Sequence, residues 1–191
     1  MELPADEPVM ADSPTDPHAV ARANMVDSQV RPNKVNDPRL LAAMRALPRE
    51  RFLPANLAAL AYADGDVPLG AGRVLMEPMV IARLLQAAEP RKGERVLVVA
   101  AGVGYAAALL AALECRVTAL EQEPSLIAVA RDALKQFAPG VSLVTGALSA
   151  GWAEGGPYDV ILIEGAIPAI PPAIAGQLNV NGGRLVTVLT G

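Results

Sequence analysis

Apolar positions recur at helical spacing from Ala21 to Ala88, whereas from Arg95 onward short apolar runs alternate with helical stretches. In the first part Leu40, Leu41, Met44 and Leu47 share one face, behind Asp37 as N-cap and Pro38 at the first helical position. The pattern predicts helices at 21–28, 39–46, 54–62 and 79–88, the last turning Val80, Leu84 and Leu85 inward. A Gly/Pro-marked loop spans 64–72. In the second part strands are predicted at 95–100, 116–120, 141–145, 158–163 and 184–189, with helices at 104–113, 124–137 and 171–178. Apolar strands separated by helices imply an α/β fold with a doubly wound, mostly parallel sheet, here behind an N-terminal helical extension.

Within this frame Val96–Tyr105, VLVVAAGVGY, reads as a buried strand, a small-residue turn and a helix start. The next apolar run ends at Glu121. Strand, Gly-containing turn, helix, and an acid at the tip of the next strand form the nucleotide-binding half of a Rossmann-like fold. There the turn glycines let backbone approach a ligand, and the acid accepts hydrogen bonds from ribose hydroxyls. Val96–Leu113 is uncharged and long enough to raise a membrane-spanning reading. Its β-branched first half, central Gly-Val-Gly and Ala-rich second half fit strand–turn–helix better.

The formal charge of −4 is concentrated in the first twenty residues, which hold five acids and no Lys or Arg; without them the balance is about +1. No basic footprint for nucleic acid remains. The same acidic, Pro-rich segment has no apolar core of a signal peptide and is expected to lack fixed structure. Cys115 is the only cysteine, which excludes an internal disulfide and a Cys-cluster metal site and fits a reducing, cytoplasmic setting. The domain reading is therefore a tail at 1–20, a helical cap and substrate-side loop at 21–90, and a ligand-binding domain at 91–191. The chain stops at Gly191 after an apolar strand, which predicts an exposed edge able to pair with a second copy or a continuation of the sheet.

Several blocks in order, MVDSQVRPNKVNDPRLLAAMRALPRERFLP, AYADGDVPLGAGRVLMEP, RVLVVAAGVGYAAALLAAL, YDVILIEGAIPAIPPAIAGQL and GGRLVTVL, resemble the protein-L-isoaspartate O-methyltransferase family. The resemblance runs from about Met25 to Gly191. It implies a class I methyltransferase fold, S-adenosylmethionine as cofactor, and a protein or peptide carboxylate of the isoaspartyl type as methyl acceptor. By this resemblance Ala101, Gly102, Gly104 and Tyr105 hold the methionine end, Glu121 and Gln122 lie at the ribose, and Ala147 and Leu148 lie at the adenine. The 72–78 segment closes over the methyl group.

The departures are specific. Where the family carries a serine in a block like GQTISQP, this chain has Gly72-Arg-Val-Leu-Met-Glu-Pro78, with Met76 at the serine position. A thioether cannot donate the hydrogen bond of a hydroxyl. In the first motif the inner acid is Val98, the first glycine is Ala100, and hydroxyl positions are Ala101 and Val103; the later GDG-like block reads Gly146-Ala147-Leu148. Glu77 and Glu164 are the acids nearest the expected cleft, each with a structural alternative: a helix cap for Glu77 and an ion pair, with Arg73 for example, for Glu164. With His18 in the tail, the body of the fold has no histidine, which is compatible with methylation of a carboxylate, already ionised and nucleophilic. Two readings stand: a carboxyl methyltransferase of weakened or redirected activity, and a non-catalytic homologue serving as a binding or scaffold module. A nicotinamide oxidoreductase would require a fuller GxGxxG and a proton donor that the chain lacks.

Overall fold

The computed structural model describes residues 16–190. Helix α1 (Pro17–Met25) starts with Asp16 as N-cap, its carboxylate accepting from the His18 amide at 3.0 Å. The helix thus begins before the expected position 21 and carries His18 within it. Residues 1–15 of the expected tail lie outside the described residues. A π-helical turn (Val26–Val30) and a 3-10 turn (Arg31–Asn33) follow, then α2 (Pro38–Ala46) behind the Asp37 cap read from the sequence. This layer is fastened by Arg22, only 4% exposed. Its Nε donates to the Arg45 carbonyl at 2.7 Å and its Nη1 to the Tyr62 hydroxyl at 3.3 Å. That hydroxyl in turn donates to Glu50.

The 54–62 helix is a 3-10 turn at Ala55–Leu60, and the expected loop at 64–72 holds a strand. Strands β1 (Val67–Gly70) and β2 (Arg73–Leu75) pair antiparallel, with Val67 opposite Leu75 and both buried. Gly70, Ala71 and Gly72 turn the hairpin at φ values of 87°, 50° and 69°. A Gly-rich turn between VPL and RVL is a hairpin signal, but strands this short show no periodicity of their own. Helix α3 (Pro78–Ala88) buries Ile81, Ala82, Leu85 and Ala88, so its inward face is turned from the predicted one. Val80 and Leu84 are half-buried at the margin.

The main sheet contains β3 (Arg95–Val99), β4 (Arg116–Glu121), β5 (Ser142–Thr145), β6 (Val160–Ile167) and β7 (Arg184–Leu189), all parallel, in the order β5-β4-β3-β6-β7. Helices α4 (Tyr105–Ala112), α5 (Pro124–Phe137) and α6 (Pro172–Ala175) connect them; α6 is shorter than predicted and β6 longer. Side chains alternate across the sheet as the pleat requires. Val96, Val98, Ala119, Val160 and Leu162 join one core with the N-terminal layer and α3 to α5. Leu97, Val99, Leu120, Ile161 and Ile163 form a second, with Tyr158 and Ile174. Helix α4 has neighbours on every side, and Tyr105 to Leu110 are all buried. That explains a helix without a polar face. The apolar run Val96–Leu113 is therefore β3, a turn and α4, and no helix among the described residues is long and apolar enough to cross a membrane.

Candidate functional site at the strand switch point

The chain runs outward from β3 to β4 and β5, then returns to the other side of β3 for β6 and β7. A crevice opens where the order reverses, at the carboxyl ends of the strands, and such crevices bind ligands in open α/β sheets. Ala100 follows β3, Glu121 ends β4, and Glu164 follows Ile163, which pairs with Val99. The three expected regions of chemistry therefore meet at one edge.

The turn after β3 keeps a glycine-type backbone without the first glycine. Ala100 has φ +62°, in the left-handed region, at a cost of about 1 kcal/mol. Gly102 has φ +55°, and a Cβ there would meet nothing closer than 3.9 Å. Its requirement is backbone conformation, which aims its amide at Glu121 Oε2, 2.8 Å away. Gly104, at φ +87°, adds a packing demand, since a Cβ would lie 3.1 Å from Leu134 of α5. Both glycines meet a left-handed backbone; Gly102 also serves the acid and Gly104 also serves helix packing.

Glu121 is fully buried and saturated with donors. Besides Gly102, the amides of Gln122 and Glu123 donate to Oε1 at 2.8 and 3.0 Å. Arg73 of the hairpin approaches in a fork, Nη1 to Oε1 and Nη2 to Oε2, each 3.0 Å. Burial alone would raise this carboxyl, but the backbone amides, Arg73 and Gly102 outweigh it and hold it below the usual carboxylate range. Arg73 Nη2 also donates to the Ala100 carbonyl at 2.6 Å. Arg73 thus pairs with Glu121 and not with Glu164, the partner considered from the sequence.

The residues expected around the cofactor are brought together, though the turn is covered in this conformation. Ala101, Gly102, Gly104 and Tyr105 are buried. Gln122 is exposed, and its Oε1 accepts from the Leu148 amide at 3.4 Å, tying the tip of β4 to the Ala147–Leu148 segment. A cavity of about 530 Å³ lies among Arg73, Ala100, Leu148, Glu164 and Ile174. A second, of about 430 Å³, is lined by Asp66, Met76, Glu77 and Val80 and shares Val74, Gly165 and Ala166 with the first. A larger hollow of about 990 Å³ sits at the opposite end of the strands beside Cys115 and Arg116 and is lined by no carboxylate. The switch point, where ligand-type groups converge, is the better candidate.

Glu164 contrasts with Glu121. The pairing of β6 with β7 is irregular between Leu162 and Ala166, with Gly165 at φ +123°. Bulges of this kind re-aim side chains. Glu164 Oε1 is buried without a hydrogen-bond partner. Burial raises its pKa from 4.5 to about 8, against the attraction of Arg73 and Arg49 and with the repulsion of Glu121.

Met76 is 5% exposed and part of the main core. Its carbonyl accepts from Arg49 Nη2 at 2.6 Å, while Arg49 Nε donates to the Ala61 carbonyl at 2.7 Å. Fully buried Arg49 stacks on Tyr105, its guanidinium carbon 4.9 Å from the ring centroid. Nothing in the sequence around Arg49 marks it out; only its burial reveals a role. Glu77 stands at the N-cap position of α3 yet makes no side-chain cap bond; its amide donates to Asp66 at 2.8 Å and it lines the smaller cavity. Among the described residues no cluster of three or more His, Cys, Asp or Glu could hold a metal ion.

The family model of protein-L-isoaspartate(D-aspartate) O-methyltransferase matches residues 21–190. The protein-L-isoaspartate O-methyltransferase of Methylorubrum populi is 45% identical over 166 residues, covering 87% of this chain and 78% of that protein. The Methanoculleus marisnigri protein of the same name is 39% identical, covering 90% of this chain and 78% of its own length. Among solved structures, a protein-L-isoaspartate O-methyltransferase superposes with TM-score 0.74 at 24% identity, covering 88% of this chain and 55% of that one. This chain thus spans about half the length of that structure. The Plasmodium falciparum structure, a complex with S-adenosyl-L-homocysteine, gives TM-score 0.76 at 17% identity, covering 89% of this chain and 84% of that one. With a family match over most of its length and relatives this similar, the chain belongs to the protein-L-isoaspartate(D-aspartate) O-methyltransferase family.

Proposed function

We propose that the protein is a cytoplasmic S-adenosylmethionine-dependent methyltransferase whose acceptor is an isoaspartyl-type carboxylate of a protein or peptide. The observation that carries this reading is Glu121, held ionised by three backbone amides at the tip of β4 beside the Gly102 turn. A carboxylate has about four acceptor positions, so without Arg73 the three amides leave room for a ribose hydroxyl. The residues present therefore fit the cofactor once Arg73 moves aside. Ala101, Gly102, Gly104 and Tyr105 would hold its methionine end, Glu121 and Gln122 the ribose, and Ala147 and Leu148 the adenine.

When bound, the cofactor supplies a sulfonium methyl group, whose S–C bond breaks as an O–C bond to the acceptor forms. The chain's own task is alignment and exclusion of water, worth several kcal/mol through orientation alone. An ionised carboxylate acceptor loses no proton, so no general base is required of the site. Met76, Glu77 and Glu164 line the adjoining cavities where the acceptor would lie.

A second reading, a binding module without turnover, is favoured by Arg73 occupying the Glu121 carboxylate and by Met76 at the serine position. Isothermal titration with S-adenosylmethionine and S-adenosylhomocysteine separates the two. Micromolar dissociation constants, with methyl incorporation into an isoaspartyl peptide, support the enzyme. Silence to millimolar ligand in a folded protein leaves the module.

A further inference from the structure

The wall between the two cavities at the switch point is the bulged end of β6, and its acid has no partner. Glu164 Oε1, Arg49 Nη1 and the Tyr105 hydroxyl are all buried without a hydrogen bond. Arg49 lies against the Tyr105 ring and attracts Glu164 electrostatically. A buried polar atom left unpaired costs about 1–3 kcal/mol. Arg49 couples to both of the others, and Glu164, the one of the three that lines a cavity, marks a place that a ligand's polar group would complete.

Their chemistry defines that group. The hydrogen bonds of Arg49 go to the carbonyls of Ala61 and Met76, so its charge has no carboxylate bonded to it. Burial keeps the Tyr105 hydroxyl protonated. A protonated Glu164 also donates, and all three then present hydrogens. The complement is an anion with several acceptor lone pairs, such as a carboxylate. Met76, which lines the adjoining cavity, offers only a thioether.

We propose that Glu164, as a neutral carboxylic acid, receives the acceptor carboxylate by donating its O–H to one oxygen, and that its ionisation closes the site to anionic substrates. The inference rests on the reading of the protein as a carboxyl methyltransferase. The hydrogen bond engages the oxygen that is not methylated and leaves the other free to attack. Glu164 thereby takes over the donor role that a hydroxyl at position 76 would have.

Arg73 faces Glu164 from β2, Glu121 from the tip of β4 and Arg49 from the segment after α2, with Tyr105 of α4 behind Arg49. On the α6 side the cavity is lined by Pro171 and Ile174. From β7, Thr187 donates to the Gly165 carbonyl at 3.3 Å. Asp66 and Glu77 lie in the adjoining cavity. Glu121 is held low by its donors and Tyr105 is held high by burial, so between pH 7 and 9 Glu164 is the carboxyl at this point that changes.

The test is calorimetric binding of an N-acetylated isoaspartyl peptide to the protein saturated with S-adenosylhomocysteine, from pH 7 to 9, in wild type and in Glu164→Gln. In the wild type the apparent affinity falls on the order of tenfold, following the neutral fraction of Glu164. In Glu164→Gln, whose amide donates but cannot ionise, the alkaline loss disappears. Infrared difference spectra show a protonated carboxyl band in the wild type at pH 7 that is missing from the variant. The same alkaline loss in Glu164→Gln, or no such band, overturns the role of Glu164 while leaving the methyltransferase reading intact. No peptide binding by the wild type at any pH overturns the acceptor reading and this inference with it.

Discussion

Two acids stand at the carboxyl edge of the sheet, on the strands flanking β3, one fully buried and one half-buried, and their surroundings drive them apart. Glu121 accepts hydrogen bonds from three backbone amides and a forked arginine, and it is ionised. Glu164 Oε1 accepts none, and burial raises the group to about 8. Desolvation disfavours both charges; only Glu121 has donors that repay it. Titratable pairs separated in this way commonly divide the labour of a site, one as a fixed charge and the other as a proton carrier.

The largest expected effect comes from Glu121→Ala. It leaves Arg73 and three amides unpaired, so chemical denaturation should show a loss of about 3 kcal/mol, with S-adenosylhomocysteine binding lost in the same variant. Unchanged cofactor affinity would sink the ribose role. Arg73→Gln restores the residue found in the family's GQTISQP-like block and should act in the opposite direction on binding. Freed from its competitor, Glu121 should bind S-adenosylhomocysteine about tenfold more tightly, while the protein loses about 1–2 kcal/mol of stability. If calorimetry finds no gain, Arg73 and the ribose do not compete.

Opposite slopes of stability against pH offer a third comparison. The carboxyl of Glu121 is lower in the folded state than its ordinary 4.5, so its stabilisation is present above that pH and is lost as pH falls through the folded value. Glu164 is raised to about 8, so the folded state keeps a proton that the unfolded chain releases near 4.5; stability falls as pH rises across that window and then levels. Thermal denaturation of Glu164→Gln should therefore gain on wild type as pH rises from 4.5 to 8, by on the order of 10 °C at pH 9 relative to pH 4.5. An equal difference at both ends would show that Glu164 is ionised in the folded protein. The smallest effect is expected at the turn joining the two acids. Ala100→Gly relieves a left-handed alanine and should stabilise by about 0.5 kcal/mol, the relief being partly offset by the added freedom of the unfolded chain. A destabilised variant would mean that the alanine methyl contributes more through packing than its backbone strain costs.

Much of the architecture was legible because it rests on local patterning. The five parallel strands, the Asp37 cap and the position of Glu121 follow from apolar runs, capping chemistry and turn spacing, each readable within about ten residues. Where only tertiary neighbours decide, local reading failed. The inward face of α3 shifted to Ile81 because the partner surfaces, rather than the helix's own pattern, select which apolar stripe is buried. The hairpin β1–β2 was missed because it is too short to show a period.

In the site itself, the sequence determined which chemical groups exist: an acid at a strand tip, small residues in the turn, a thioether at position 76, and no histidine beyond His18. Tertiary structure decided what each group is. It brought Arg73 from a hairpin to Glu121, 48 positions away in the chain. It also buried Arg49 beneath Met76 and left Glu164 without a partner. The reason is electrostatic: a carboxyl's charge state depends on the donors and the water within a few ångströms, and that environment is assembled by distant segments.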